Sequence, residues 1–140
     1  MRRILLLVDG SEQAYRSAQF VADFVKQHGS LEIHVVNVEP APLEWQTHGM
    51  ETEAIKGHLA ARAHLAMNPV LDLFKEAGIA CHTHIKQGEV AETVVTLADE
   101  LGCDAVVMGT RGLGAISGLA LGSVTRKVLH LSRLPVVCIK

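Results

Sequence analysis

The sequence carries no excess of positive charge, no paired cysteines and no apolar run long enough to cross a membrane. Its 13 Lys and Arg stand against 15 Asp and Glu, for a formal net charge of −2. Such a balance offers no diffuse positive field to neutralise a run of nucleic-acid phosphates or to dock on anionic lipid. The expectation is no nucleic-acid partner and no membrane partner, so any bound anion must be held locally. The 3 cysteines, Cys81, Cys103 and Cys138, form an odd set without CxxC spacing, each beside apolar residues. Buried thiols in a reducing compartment fit that pattern. Met1-Arg2-Arg3 is followed by the aliphatic stretch Ile4 to Val8, which stops at Asp9. That stretch is too short for a signal-peptide core or a membrane span, so a cytoplasmic location is expected. Repeats and low-complexity tracts are absent, and 140 residues leave room for one domain, 1–140.

What is there is 49% hydrophobic and 20% charged, the balance of an ordinary globule. Ile4 to Val8, closed by Asp9-Gly10-Ser11, reads as a strand buried on both faces. From Ser11 to about His28, Ala14, Ala18, Val21, Ala22 and Val25 recur at helical spacing, with Ser11 as N-cap and Gly29 as stop. Leu31 to Val38 is a second strand, and 39–50, with Pro40, Pro42, Trp45 and Gly49, is a loop. A helix then runs to Ala77, which Asn68-Pro69 should kink or restart. Ile79 to Lys86 is a strand, Val90 to Leu101 a helix and Ala105 to Met108 a buried strand. Ser123 to Leu131 is the last helix and Leu134 to Ile139 the last strand. Strict alternation predicts a parallel sheet with helices on both faces, whose ligands sit beyond the carboxyl ends of the strands.

The densest chemical signal is Gly109-Thr110-Arg111-Gly112-Leu113-Gly114, then Gly118, then Gly122-Ser123-Val124-Thr125, between a buried strand and an amphipathic helix. Glycines leave backbone amides uncovered, so such a loop can turn several N–H groups toward one anion, and the following helix adds its free amides. A flexible crossover without ligand accounts for the same residues equally well. No Lys-Ser or Lys-Thr pair follows the glycines and the GxGxxG spacing is missing, which excludes a Walker A loop and a dinucleotide fingerprint. Arg111 could reach outer phosphates or stand solvated, and Ser123 and Thr125 could be caps, phosphate contacts or both.

Gly109-x2-Gly112-x9-Gly122-Ser123 resembles the nucleotide-binding signature of the universal stress protein family. The similarity extends from Val8-Asp9-Gly10-Ser11 through Val35-Val36-Asn37-Val38 and Gly88 to Ala91, ending at Leu134-Pro135-Val136-Val137. The resemblance implies a three-layer α/β/α sandwich of the adenine nucleotide alpha hydrolase-like, Rossmann-like kind, with a five-stranded parallel sheet ordered 3-2-1-4-5. It also implies a site. Val8, Asp9 and Gly10 would lie at the adenosine end, and the backbone of Val38 would read the adenine edge. Met108, Gly109, Thr110, Arg111 and Gly112 would hold ribose and phosphates, and Gly122, Ser123, Val124 and Thr125 would complete the phosphate site. The expected ligand is ATP, with Mg2+ or Mn2+ carried mainly by the phosphates and no protein metal site.

The same resemblance implies a homodimer through the C-terminal strand, 135–139, acting as a regulatory or protective factor in a stress response. As an apolar sheet edge, that strand would need covering. No histidine or carboxylate falls between Gly109 and Lys127 to activate water. A binder is therefore expected rather than an enzyme. The alternatives are a weak ATP hydrolase or phosphoryl or adenylyl transferase and, third, a nucleotide-free dimer. Among the 8 histidines, His82 and His84 share one face of a strand, but no further ligand pair recurs nearby in sequence, so surface histidines explain them. Trp45 could cover a nucleotide, although a lone aromatic more often buries itself against the body.

Overall fold

The computed structural model describes residues 1–41, 48–113 and 121–140. Five strands and four helices alternate among them: β1 (Arg3–Leu7), α1 (Glu12–His28), β2 (Glu32–Glu39), α2 (Thr52–Glu76), β3 (His82–Gln87), α3 (Val90–Glu100), β4 (Ala105–Gly109), α4 (Ser123–Leu131) and β5 (Val136–Ile139). All pairings are parallel and the strand order is β3-β2-β1-β4-β5. The order implied by the family resemblance is the observed one.

Continuous aliphatic runs mark the middle of the sheet because both their faces are covered. Ile4, Leu6, Val8, Ile33, Val35, Ala105 and Val107 point to one face, where they meet Ala14, Ala18 and Val21 of α1 and Ala63, Met67, Val70 and Phe74 of α2. Leu5, Leu7, Val36, Val38, Val106 and Met108 point to the other, against Ala91, Val94, Leu97 and Ala98 of α3 and Val128 of α4. Two helices therefore close each face.

Local signals set most boundaries. Ser11 caps α1 by accepting the Ala14 amide at 3.1 Å, and Gly29 ends it at φ 97°. Helix α2 departs from expectation, since it runs unbroken through Pro69. Asn68 and Pro69 lie on its exposed side. There, water can take the carbonyl that proline leaves without a donor, while Met67, Val70 and Phe74 anchor the buried side. β3 begins at His82 rather than Ile79, whose amide instead closes α2 by donating to the Phe74 carbonyl at 2.8 Å. Of the three thiols expected to be buried, Cys103 is, whereas Cys81 and Cys138 are half-buried because they adjoin or lie on edge strands. Burial pushes all three thiols above their ordinary pKa. Trp45, Gly114 and Gly118 lie outside the described residues.

Candidate functional site

Parallel strands bring all their carboxyl ends to one rim of the sheet. The winding reverses between β1 and β4: α1, which follows β1, lies on one face, and α4, which follows β4, on the other. Their connections must part at that point, and a crevice forms there. A cleft of about 460 Å³ opens in this position.

Its floor and near wall come from Leu7, Val38, Val90 and Met108, all apolar. The far end is polar and is built from the turn after β1 and the loop after β4. Asp9 joins them, its Oδ1 accepting the Ser11 amide at 2.9 Å and its Oδ2 the Leu113 amide at 3.2 Å. Gln13 of α1 adds a second tie, Oε1 accepting the Arg111 amide at 2.8 Å. The Thr110 amide donates to Ile139 of β5 at 2.8 Å, and the Gly122 amide donates back to Thr110 at 2.7 Å. The Thr125 hydroxyl donates to the Gly109 carbonyl at 2.9 Å, so the first turn of α4 braces the end of β4.

These bonds change the picture of the glycine loop. Sequence reasoning expects its amides to converge on an anion, but those of Thr110, Arg111, Leu113 and Gly122 are spent on the protein's own oxygens. A segment pressed between α1 and β5 must satisfy its own backbone. Among the described residues, the donors left over are the Gly112 amide and the first-turn amides of α4. Its N-cap, Gly122, has no side chain to accept them, and no acidic residue lies in the turn. With the positive end of the helix dipole they form a site that favours an anion.

The glycines at the end of β4 are needed for close approach. A Cβ on Gly109 would stand 2.9 Å from Cβ of Gln13 and 3.0 Å from the Arg111 carbonyl oxygen, and one on Gly112 would run into the Asp9 carboxylate.

Among the residues singled out from sequence, Asp9, Val38, Met108, Gly109, Arg111, Gly112, Gly122, Ser123, Val124 and Thr125 line the cleft. Val8, Gly10 and Thr110 do not. Val8 is buried in the core and holds β2 through its amide to Val36 and its carbonyl to Asn37. Gly10 makes the turn at φ 88°, against Ala66. Thr110 is buried, with both backbone groups engaged.

The sequence reading missed Asn37, Glu39, Arg62 and Arg126, which also line the cleft. Asn37 is 1% exposed and donates Nδ2–H to the Val8 carbonyl at 2.9 Å, while its Oδ1 has no partner among the described residues. A buried acceptor left unpaired costs about 1–3 kcal/mol, so the cleft wall offers an oxygen that a ligand N–H would satisfy. Its signal in the sequence is a polar residue inside Val35-Val36-Asn37-Val38. Glu39 pairs with Arg62 at 3.4 Å. Arg111 and Arg126 make no ion pair among the described residues and leave the end of the cleft beside α4 positive.

The fold and site together define an α/β protein with an open cleft at the switch point of a doubly wound sheet. The chain belongs to the Universal stress protein family, whose sequence profile matches residues 1–140. A universal stress protein of Synechocystis sp. is 34% identical over 140 residues, covering 99% of this chain and 85% of the relative. The structure of hypothetical protein MJ0577 is similar at a TM-score of 0.85 and 27% identity, over 99% of this chain and 95% of that one. The universal stress protein of Archaeoglobus fulgidus in complex with dAMP shares the fold at a TM-score of 0.70 and 24% identity, over 100% and 98% of the two chains. Others of the same fold are solved with cAMP and with AMP bound. No described helix is long and apolar enough to cross a membrane.

Proposed function

We propose that this chain binds an adenine nucleotide, ATP by preference, in the cleft between β1 and β4 and acts as a homodimeric regulatory or protective factor. The observation that carries the reading is the polar end of the cleft. There, the uncapped first turn of α4 lies beside Arg111 and Arg126, opposite apolar walls of a size suited to a base. The unpartnered Oδ1 of Asn37, in the wall next to Val38, fits the exocyclic amino group of adenine. Relatives of the same fold solved with dAMP, cAMP or AMP support the adenine choice.

Both carboxylates of the cleft are occupied, Asp9 by two backbone amides and Glu39 by Arg62. Mg2+ or Mn2+ would accordingly travel with the phosphates rather than bind to side chains. Among the described residues, the same engagement leaves neither cleft carboxylate unpaired for activating water, which supports a binder rather than a hydrolase. β5 is a sheet edge paired with β4 alone among the described residues, and its half-buried Val136–Ile139 face is the proposed dimer contact. Thermal melting with and without ATP and Mg2+ tests the reading. Ligand at a hundredfold excess over its dissociation constant adds about 2.7 kcal/mol. No rise at millimolar ATP, with calorimetry also flat, would overturn it.

A further inference from the structure

The opposite rim of the sheet carries a second constellation, away from the cleft. Glu32 and His34 lie at the start of β2, and His82 and His84 at the start of β3. The register sets His34 beside His82 and Val36 beside His84. With a period of two, all four side chains leave the face that bears Val36 and Val38. Sequence reasoning set His82 and His84 aside for lack of further ligands nearby. Strand pairing supplies those ligands from β2.

The geometry is close to a coordination shell. Glu32, His34 and His82 each offer one ligand atom, and these atoms lie within 4.8 Å of one another. Nε2 of His34 is 3.8 Å from Oε1 of Glu32, and Nδ1 of His34 is 2.9 Å from Nε2 of His84. The His34 and His82 rings stack with centroids 4.8 Å apart. His34 is 7% exposed, whereas Glu32 and His82 stand at the surface with room to rotate. The other carboxylate oxygen of Glu32 is held by Arg3, which orients the group without using Oε1.

The bond between His34 and His84 has a consequence for the first ring. When His34 carries its proton on Nδ1 and donates it to His84, its Nε2 lone pair faces Glu32 Oε1, two acceptors with no hydrogen between them. A cation placed there removes that conflict. Metal-binding imidazoles generally donate their second N–H to a fixed acceptor, which sets both tautomer and ring orientation.

We propose that Glu32, His34 and His82 bind a divalent transition ion of the zinc type, with His84 as a positioning residue that orients His34. Two imidazoles and one carboxylate make a ligand set that Zn2+ accepts, with the fourth position open to solvent. Bonds of about 2.0–2.1 Å require donor atoms roughly 3.3 Å apart, a closure that rotation of the exposed His82 and a small pivot of Glu32 about its Arg3 contact would supply. The bound ion would cross-link the edge strand β3 to β2. Because these residues start their strands and the cleft lies beyond the strand ends, the site is independent of the proposed nucleotide.

The test is calorimetric titration of the metal-free full chain with ZnCl2 in the absence of nucleotide, with Co2+ absorption as a second readout. Saturable binding of a single ion per chain is expected, with a Co2+ spectrum lacking thiolate charge transfer. His82→Ala and Glu32→Gln should each weaken binding more than tenfold, and His84→Ala by about 10- to 100-fold. His130→Ala and Cys81→Ser should bind as the unsubstituted chain does. NMR of the imidazole nitrogens in the unsubstituted protein, which needs no variant to fold, should show the His34 and His82 nitrogens shifting on zinc addition. Failure to saturate, unmoved imidazole signals, undiminished affinity in both His82→Ala and Glu32→Gln, or loss in Cys81→Ser alone would each overturn the proposal.

Discussion

The Asp9 carboxylate accepts the backbone N–H of Leu113 at 3.2 Å, tying the end of β1 to the loop after β4 across the reversal point of the sheet. The same group holds the Ser11 amide at the entrance to α1. Asp9→Ala should therefore release the loop and weaken ATP binding about tenfold, equivalent to about 1.4 kcal/mol. Calorimetry measures the affinity and circular dichroism the fold. Unchanged affinity would mean that this tether does not shape the site.

Gly112 and Gly122 should behave differently when given a methyl group. At Gly112 the Cβ meets the Asp9 carboxylate, so Gly112→Ala is expected to speed hydrogen exchange at Leu113 and to weaken binding. At Gly122 the nearest heavy atom among the described residues beyond its chain neighbours, Cα of Arg111, is 3.4 Å away, an ordinary contact. Gly122→Ala should change stability by less than about 0.5 kcal/mol. A loss of nucleotide affinity in that variant reports on the ligand, not on the fold.

Thr125 is 2% exposed, and its hydroxyl serves the Gly109 carbonyl. Thr125→Val keeps the shape and removes the donor, which should cost about 1–2 kcal/mol in urea denaturation. Stability equal to the unsubstituted chain would show that another group takes over the carbonyl.

Pro69 interrupts the hydrogen bonding of α2 on its exposed side. Pro69→Ala restores a donor for the Leu65 carbonyl and should raise stability, by up to about 3 kcal/mol if the helix stores the full penalty of an internal proline. A fall in melting temperature would show that Pro69 is favoured where it sits.

Glu89 caps α3 by accepting the Glu92 amide at 2.7 Å, and it pairs with Lys127 of α4 at 3.3 Å, with Glu92 also near that lysine. The amide bond first, then Lys127, lowers its pKa below the ordinary 4.5. As pH falls, the unfolded chain takes up this proton before the folded one. The stabilisation is thus complete above about pH 4.5 and is lost as pH drops through the lower folded-state value. Glu89 is exposed and screened, so the effect should be about 0.5 kcal/mol, the low end for a cap. Denaturation at pH 6 and pH 3 should show a smaller difference for Glu89→Gln than for the unsubstituted chain.

Much of the fold was legible because its signals are local. The run Ile4 to Val8 announces a central strand, Ser11 and Gly29 bracket α1, and alternation of strands and helices implies parallel pairing. Pro69 misled because local propensity knows nothing of the buried Met67, Val70 and Phe74 that hold α2 together around it. In the cleft, the glycines after β4 stood out as a short-range pattern, whereas Asp9, which alone reads as a loop carboxylate or helix cap, entered only through the family resemblance. Asn37 did not stand out, since only burial beside the cleft gives a lone polar residue in a strand its meaning.

By itself, the sequence determined the order of strands and helices, that the sheet is parallel, and that a glycine-rich turn follows β4. Those follow from periodicity, caps and missing side chains, which act over a few residues. Only the tertiary structure decided which loop amides are spent on Asp9, Gln13 and Ile139, and which, among the described residues, find no partner at α4. It alone brought Glu32 and His34 beside His82. Hydrogen-bond partners and ligand sets depend on distances through space between residues far apart in the chain, and strand pairing sets those distances.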